Sequence, residues 1–187
     1  MFDIATTRTL HKPASLTARA GAWVWPLPRI GEHEPIVTTI GDAKHPQAVV
    51  AYRDVVSHRD FLPVFATHDG VITFAAKTLA TCEGATVTRY AVCLDHPGGW
   101  STRYGDLEHM FCMPADRFSR RRRERVRAGD VLGYAQRSPL RLPFELWRCD
   151  DESFGPIDCE KYIDRWRVLS WDGAPLTTER AQPKRAA

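Results

Sequence analysis

His96-Pro97-Gly98-Gly99-Trp100-Ser101-Thr102-Arg103-Tyr104-Gly105-Asp106-Leu107 is the stretch on which the fold reading turns. Pro97 presets its own φ and the two glycines accept positive φ, so Pro97-Gly98-Gly99 predicts a hairpin turn. On its N-terminal side, Ala85–Leu94 alternates Val87, Arg89, Ala91 and Cys93 with Thr86, Thr88, Tyr90 and Val92, the period of a strand. On its C-terminal side, Trp100–Tyr104 predicts the second strand. Further out, Ala128-Gly129-Asp130 is a turn into a strand at Val131–Ala135, and Leu140–Trp147 completes the set. Upstream, Ile36 to Ile40, Val49-Val50, Val55-Val56, Val64 to Ala66 and Val71 to Phe74 are short β-branched runs closed by Gly, Asp or Pro. Trp23 to Pro28 supplies apolar anchors whose prolines forbid a helix. Only Glu160–Trp166 reads as helical. The expectation is a mostly β, antiparallel sheet domain over residues 23–166, with a loose arm at 1–22 and a solvated tail at 167–187.

Composition agrees with one soluble core: 187 residues, 43% hydrophobic and 26% charged, with 26 Lys+Arg against 23 Asp+Glu and a net charge of +3. A chain of this length buries about 70% of its unfolded surface, so a core needs neither metal nor disulfide. The charge is too mild to announce a nucleic-acid binder. No apolar run reaches the ~18 residues of a membrane span. Met1 to Ile30 holds Arg8, Lys12, Arg19 and Arg29 without an apolar stretch, so the expectation is a cytoplasmic protein, with a periplasmic post as the alternative. The five cysteines, Cys82, Cys93, Cys112, Cys149 and Cys159, include no C-x-x-C pair and read as reduced thiols. Whether Cys149 and Cys159 pair across the acidic loop between them stays open.

Four further stretches extend the pattern. Pro63-Val64-Phe65-Ala66-Thr67-His68-Asp69-Gly70-Val71-Ile72 precedes the central hairpin. Val126-Arg127-Ala128-Gly129-Asp130-Val131-Leu132-Gly133 follows it, then Arg141-Leu142-Pro143-Phe144-Glu145-Leu146, then Asp158-Cys159-Glu160-Lys161-Tyr162-Ile163. In this order, from about Trp23 to Ile163, they resemble the lysostaphin-type (LytM-domain) zinc endopeptidases of peptidoglycan. The resemblance implies a β domain of the duplicated hybrid motif type. It also implies a zinc ion held by an H-x-x-x-D motif and by the second His of H-x-H, beside a catalytic His in Y-x-H-L.

The departures fall on those positions. Arg141 and Pro143 stand at H-x-H, where alternation would put two rings on one strand face. Proline has no donor atom and arginine stays protonated, so neither ligates a metal. Asp106 stands at the His of Y-x-H-L, two residues after Tyr104. In the first motif Asp54 can stand for the Asp, but Val50 then occupies the His position, and a slip of one or two residues puts Ala51 or Tyr52 there instead. The expectation is a domain with no metal and no cofactor. Its binding residues would be Asp54, Tyr104, Asp106, Arg141 and the basic run Arg120, Arg121, Arg122 and Arg123. Asp106 and Arg141, of opposite charge, are expected within about 4 Å of each other.

The remaining candidates read more blandly. His58, His68, His96 and His109 are expected to be exposed at loops or strand ends, although His58-x-Asp60 has ligand-like spacing. Trp100, Trp147, Trp166 and Trp171 are expected to pack rather than to present sugar-stacking faces. Arg117, Arg120–Arg123, Arg125 and Arg127 could dock an anionic partner, but only Phe118 interleaves, which disfavours single-stranded nucleic acid. Asp150-Asp151-Glu152 reads as a solvated turn. No G-x-S-x-G elbow is present. The functional expectation is a catalytically inactive binding or regulatory module with a cell-wall glycopeptide or protein partner. The alternatives are a peptidoglycan metalloendopeptidase with non-standard zinc ligands, and a binder of nucleic acid or an acidic protein through Arg120–Arg123.

Overall fold

The computed structural model describes residues 21–41, 46–52, 62–82, 85–114, 123–135, 141–149 and 154–171. Its elements begin with β1 (Arg29–Ile30), β2 (Pro35–Ile40), β3 (Gln47–Tyr52), β4 (Pro63–Phe65), β5 (Gly70–Cys82) and β6 (Ala85–His96). They continue with β7 (Trp100–Leu107), β8 (His109–Met110), β9 (Arg125–Val126), β10 (Val131–Tyr134) and β11 (Arg141–Cys149). The last are β12 (Phe154–Ile157), the single-turn helix α1 (Glu160–Ile163) and β13 (Ser170–Trp171).

The main sheet has eight strands in the order β2-β3-β11-β7-β6-β5-β9, with β12 on β11. Its pairings are antiparallel. Gly98 and Gly99 take φ of 75° and 76°, the positive values the β6–β7 turn requires. Alternation then sorts the side chains. Thr102 and Tyr104 of β7, Leu142, Phe144 and Leu146 of β11, and Ala48, Val50 and Tyr52 of β3 are buried on one face. That face closes on the three-stranded sheet β4-β10-β8, and Val64, Ile72, Val92, Leu94, Leu107 and Leu132 fill the space between the sheets. Each fully buried Leu or Phe contributes roughly 1.5–3 kcal/mol relative to exposure.

The fold continues past Trp166. β13 pairs in parallel with β1, and Leu169 (5% exposed) joins Val24, Phe65, Ala128 and Val131 in a second apolar cluster. The helix is shorter than the Glu160–Trp166 expectation: it closes after Ile163, whose buried side chain is its only core anchor. Among the described residues no helix is long and apolar enough to cross a membrane.

Candidate functional site

The outer face of the main sheet carries Arg141 and Pro143, the two β11 residues read against the H-x-H positions. On β11 the side chains between the buried ones are Arg141, Pro143, Glu145 and Trp147. Arg141 is exposed and lies opposite Ala51, while Pro143 lies opposite the half-buried Val49. Gly105 of β7 sits beneath the proline: a β-carbon at Gly105 would stand 3.2 Å from that of Pro143. A side chain at Gly105 would press on the proline ring by a few tenths of an ångström, so glycine is the residue that lets the two strands meet here without a shift.

One step along the sheet, Glu145 is paired in register with Arg103, with an ion-pair distance of 3.6 Å. The indole Nε1–H of Trp147 donates to the same carboxylate at 2.9 Å. The Glu145 side chain is only 14% exposed and that of Arg103 is 53% exposed. The carboxylate therefore fixes a tryptophan ring and a guanidinium side by side on the sheet's outer face.

Asp106 and Arg141 do not form the expected ion pair; no such contact joins them among the described residues. The cause is backbone register. Between the pairs Tyr90–Leu107 and Val92–Tyr104, β7 inserts one residue more than β6, a bulge in which Asp106 takes φ of 50°. β7 pairs with β11 only as far as Tyr104–Phe144, whereas Arg141 is paired to β3. Asp54, Arg120, Arg121 and Arg122 lie outside the described residues, as do His58 and Asp150-Asp151-Glu152; Arg123 is described and exposed.

Tyr104 faces the opposite way, into the core, with no exposed surface. Its hydroxyl accepts the Thr67 backbone N–H at 2.9 Å and donates to Thr67 Oγ1 at 3.0 Å. Thr102 Oγ1 lies 3.3 Å from that hydroxyl and 2.7 Å from His96 Nε2. His96 Nδ1 meets the Asp69 carbonyl oxygen at 3.0 Å. Burial pushes the His96 imidazole down to about 4 and the Tyr104 phenol up to about 12. A neutral His96 satisfies both of its own contacts when Nδ1–H donates to Asp69 and Nε2 accepts the Thr102 hydroxyl proton, which leaves the 3.3 Å approach of Thr102 to Tyr104 without a hydrogen of its own. This buried chain ties β6 and β7 to the loop after β4. It corrects the expectation of an exposed His96, which is 6% exposed. The sequence signal was available: Thr102-x-Tyr104 places both side chains on one strand face.

His68 and His109 are half-buried as well. The His68 ring lies 4.7 Å from that of Trp23, which also stacks on Trp166 at 4.7 Å. His109 contacts Phe111 at 4.8 Å, and burial lowers its basicity. Cys149 is an exposed free thiol and Cys159 a buried one, so the two do not pair; burial pushes Cys159 up to about 12.

A zinc ion does not fit the two β11 positions. Arg141 brings a permanent cation and Pro143 a ring without a donor atom. Among the described residues, no three His, Cys, Asp or Glu side chains gather as a metal site.

No family model and no curated protein matches the sequence. Among solved structures, the fold is similar to that of a chain described as a glycyl-glycine endopeptidase LytM from Ruminococcus gnavus. The TM-score is 0.52 at 14% identity, over 80% of this chain and 63% of that one. Weaker likenesses are to the SpoIIQ–SpoIIIAH pore-forming complex (TM-score 0.45, 15% identity, 81% of this chain and 94% of that chain). Helicobacter pylori Csd3 is similar at TM-score 0.43 and 11% identity, over 82% of this chain and 37% of that chain. The first likeness shows the fold, a LytM-type antiparallel β domain, and this chain spans less than two thirds of that structure's length.

Proposed function

We propose that this LytM-type domain acts by binding, without zinc and without cleaving peptide bonds. One observation carries the reading: Pro143 packs on Gly105 where the family resemblance would place a zinc-binding imidazole. Arg141, exposed at the companion position, supplies a fixed positive charge in place of a ligand. The Arg103–Glu145–Trp147 cluster beside them offers a planar donor and an aromatic ring, the equipment of a recognition surface. The partner class that fits is a cell-wall glycopeptide or a protein segment laid across the sheet. The test is to incubate the full chain with purified sacculi and with soluble muropeptides, with and without added zinc. The reading expects retention or saturable binding and an unchanged muropeptide profile. Released fragments would contradict it.

A second reading, docking of an anionic partner through the basic run, is supported by the exposure of Arg123, Arg125 and Arg127 at its described end. Its mark would be association that weakens steeply with salt.

A further inference from the structure

β3 and β12 follow one another along the same edge of β11: β3 pairs with Arg141 to Phe144 and β12 with Leu146 to Cys149. The seam between them is stitched from β2 and the start of α1. Thr39 Oγ1 donates to Asp158 Oδ1 at 3.0 Å, and the Thr39 backbone N–H donates to Glu160 Oε1 at 2.5 Å. Asp158 also accepts the Glu160 backbone N–H at 3.2 Å and pairs with Lys161 Nζ at 3.6 Å. A cleft of about 490 Å³ opens here, lined by Thr39, Pro46, Pro156, Ile157, Lys161 and Tyr162 together with Asp158. That volume falls within the range of small-molecule sites.

The lining chemistry narrows the ligand. Lys161 offsets Asp158, and Glu160, whose carboxylate accepts the Thr39 N–H at the same seam, leaves one negative charge in excess, so an anion is disfavoured. The Lys161 ammonium and the Asp158 carboxylate still provide donors and acceptors at the rim. Pro46, Pro156 and Ile157 are apolar. Tyr162 is 42% exposed, one of four large hydrophobic side chains exposed among the described residues, and its ring is held edge-on to Trp100 at 5.4 Å. An aromatic ring steadied by a second ring, next to a carboxylate and an ammonium that can accept and donate hydrogen bonds, matches the two sides of a pyranose. The sugar's C–H face stacks on the ring while its hydroxyls reach the carboxylate and ammonium. The geometry points to a saccharide-binding site at this seam, distinct from the outer sheet face around Arg141 and Pro143.

The experiment uses the full chain titrated with two neutral trisaccharides, chitotriose and cellotriose. Calorimetry and tryptophan fluorescence read the binding, with Trp100 as the natural reporter because it touches Tyr162. At least one sugar should bind saturably. Tyr162→Ala should weaken it about tenfold (~1.4 kcal/mol), Lys161→Met by a smaller factor, and Tyr162→Phe, which keeps the ring, should bind like the parent. Circular dichroism verifies the fold of each variant; should Tyr162→Ala unfold, the Lys161→Met and Tyr162→Phe titrations decide. No binding of either sugar at millimolar concentration overturns the proposal. So does binding that survives Tyr162→Ala, or that is lost instead in Arg141→Ala, which would move the sugar to the outer face. Failure here leaves the non-hydrolytic reading standing, since that reading is tested by muropeptide cleavage.

Discussion

Pro143 rests on Gly105, with 3.2 Å between the proline's β-carbon and the place where a β-carbon of Gly105 would be. The contact joins β11, at a position where the resemblance to zinc peptidases would seat a metal-binding His, to the strand that carries Asp106. On the outer face it lies between Arg141 on one side and the Arg103–Glu145 pair on the other.

Gly105→Ala should therefore destabilise the protein by about 1–3 kcal/mol, because the new methyl group must displace a proline that has no flexible end to yield. Urea unfolding measures it. Combining it with Pro143→Gly should recover part of the loss as a coupling energy of roughly 0.5–3 kcal/mol. Simple additivity of the two changes would separate the residues energetically.

Arg141→Ala should change stability by no more than about 0.5 kcal/mol, since the guanidinium is exposed and has no ion-pair partner among the described residues. The same variant should weaken partner binding at the outer face. A large loss of stability with binding intact would assign Arg141 to the fold instead.

His96 makes stability pH-dependent with a defined sign. Its imidazole titrates near 6.5 when unfolded and at about 4 when folded, so between those values only the unfolded chain takes up the proton. Stability is therefore complete above about pH 6.5, falls as the pH drops toward 4 and levels below it, with a total change on the order of 3 kcal/mol. Urea midpoints at pH 7 and pH 4.5 should differ in the parent and differ less in His96→Gln. Equal shifts in both proteins would remove His96 as the cause.

Tyr104→Phe deletes the hydroxyl that accepts the Thr67 N–H and leaves that buried donor unpaired, at a cost of about 1–3 kcal/mol. Because Tyr104 lies wholly inside, binding at the outer face should persist in the folded fraction. Calorimetric titration of the variant against a muropeptide checks this.

Replacing Arg120–Arg123 with Ser should leave folding within about 0.5 kcal/mol per site. If the run serves an anionic partner, heparin affinity and its salt dependence should both fall. Retention on heparin identical to the parent would return these arginines to a solvated surface.

The strands were legible because their signals are local. The alternation of Ala85–Leu94 and the Pro97-Gly98-Gly99 turn can each be read within a few residues, and strands stand at Ala85–His96, Trp100–Leu107, Val131–Tyr134 and Arg141–Cys149 as expected, while the expected run at Val55-Val56 lies outside the described residues. What escaped depends on partners distant in the chain. The burial of His96 follows from the Asp69 carbonyl and Thr102 closing over it. Leu169 to Trp171 read as tail because their apolar surface is matched by residues distant in the chain, Val24, Phe65, Ala128 and Val131, and by the β1 edge at Arg29–Ile30. Asp106 and Arg141 looked like partners by charge alone, but a one-residue bulge and the pairing of Arg141 to β3 set their backbones on different courses. The Glu145–Trp147 hydrogen bond spans a single two-residue step on one face and was readable, yet nothing in a lone tryptophan distinguishes a packed ring from a displayed one.

The most direct test of the central claim is the zinc content of the full chain, equilibrated with an equimolar zinc salt, desalted and measured by mass spectrometry, beside a muropeptide digest of the same sample. The account predicts substoichiometric zinc and an unchanged digest, in the parent and equally in Arg141→Ala. One zinc per chain that accompanies metal-dependent release of muropeptides would contradict it.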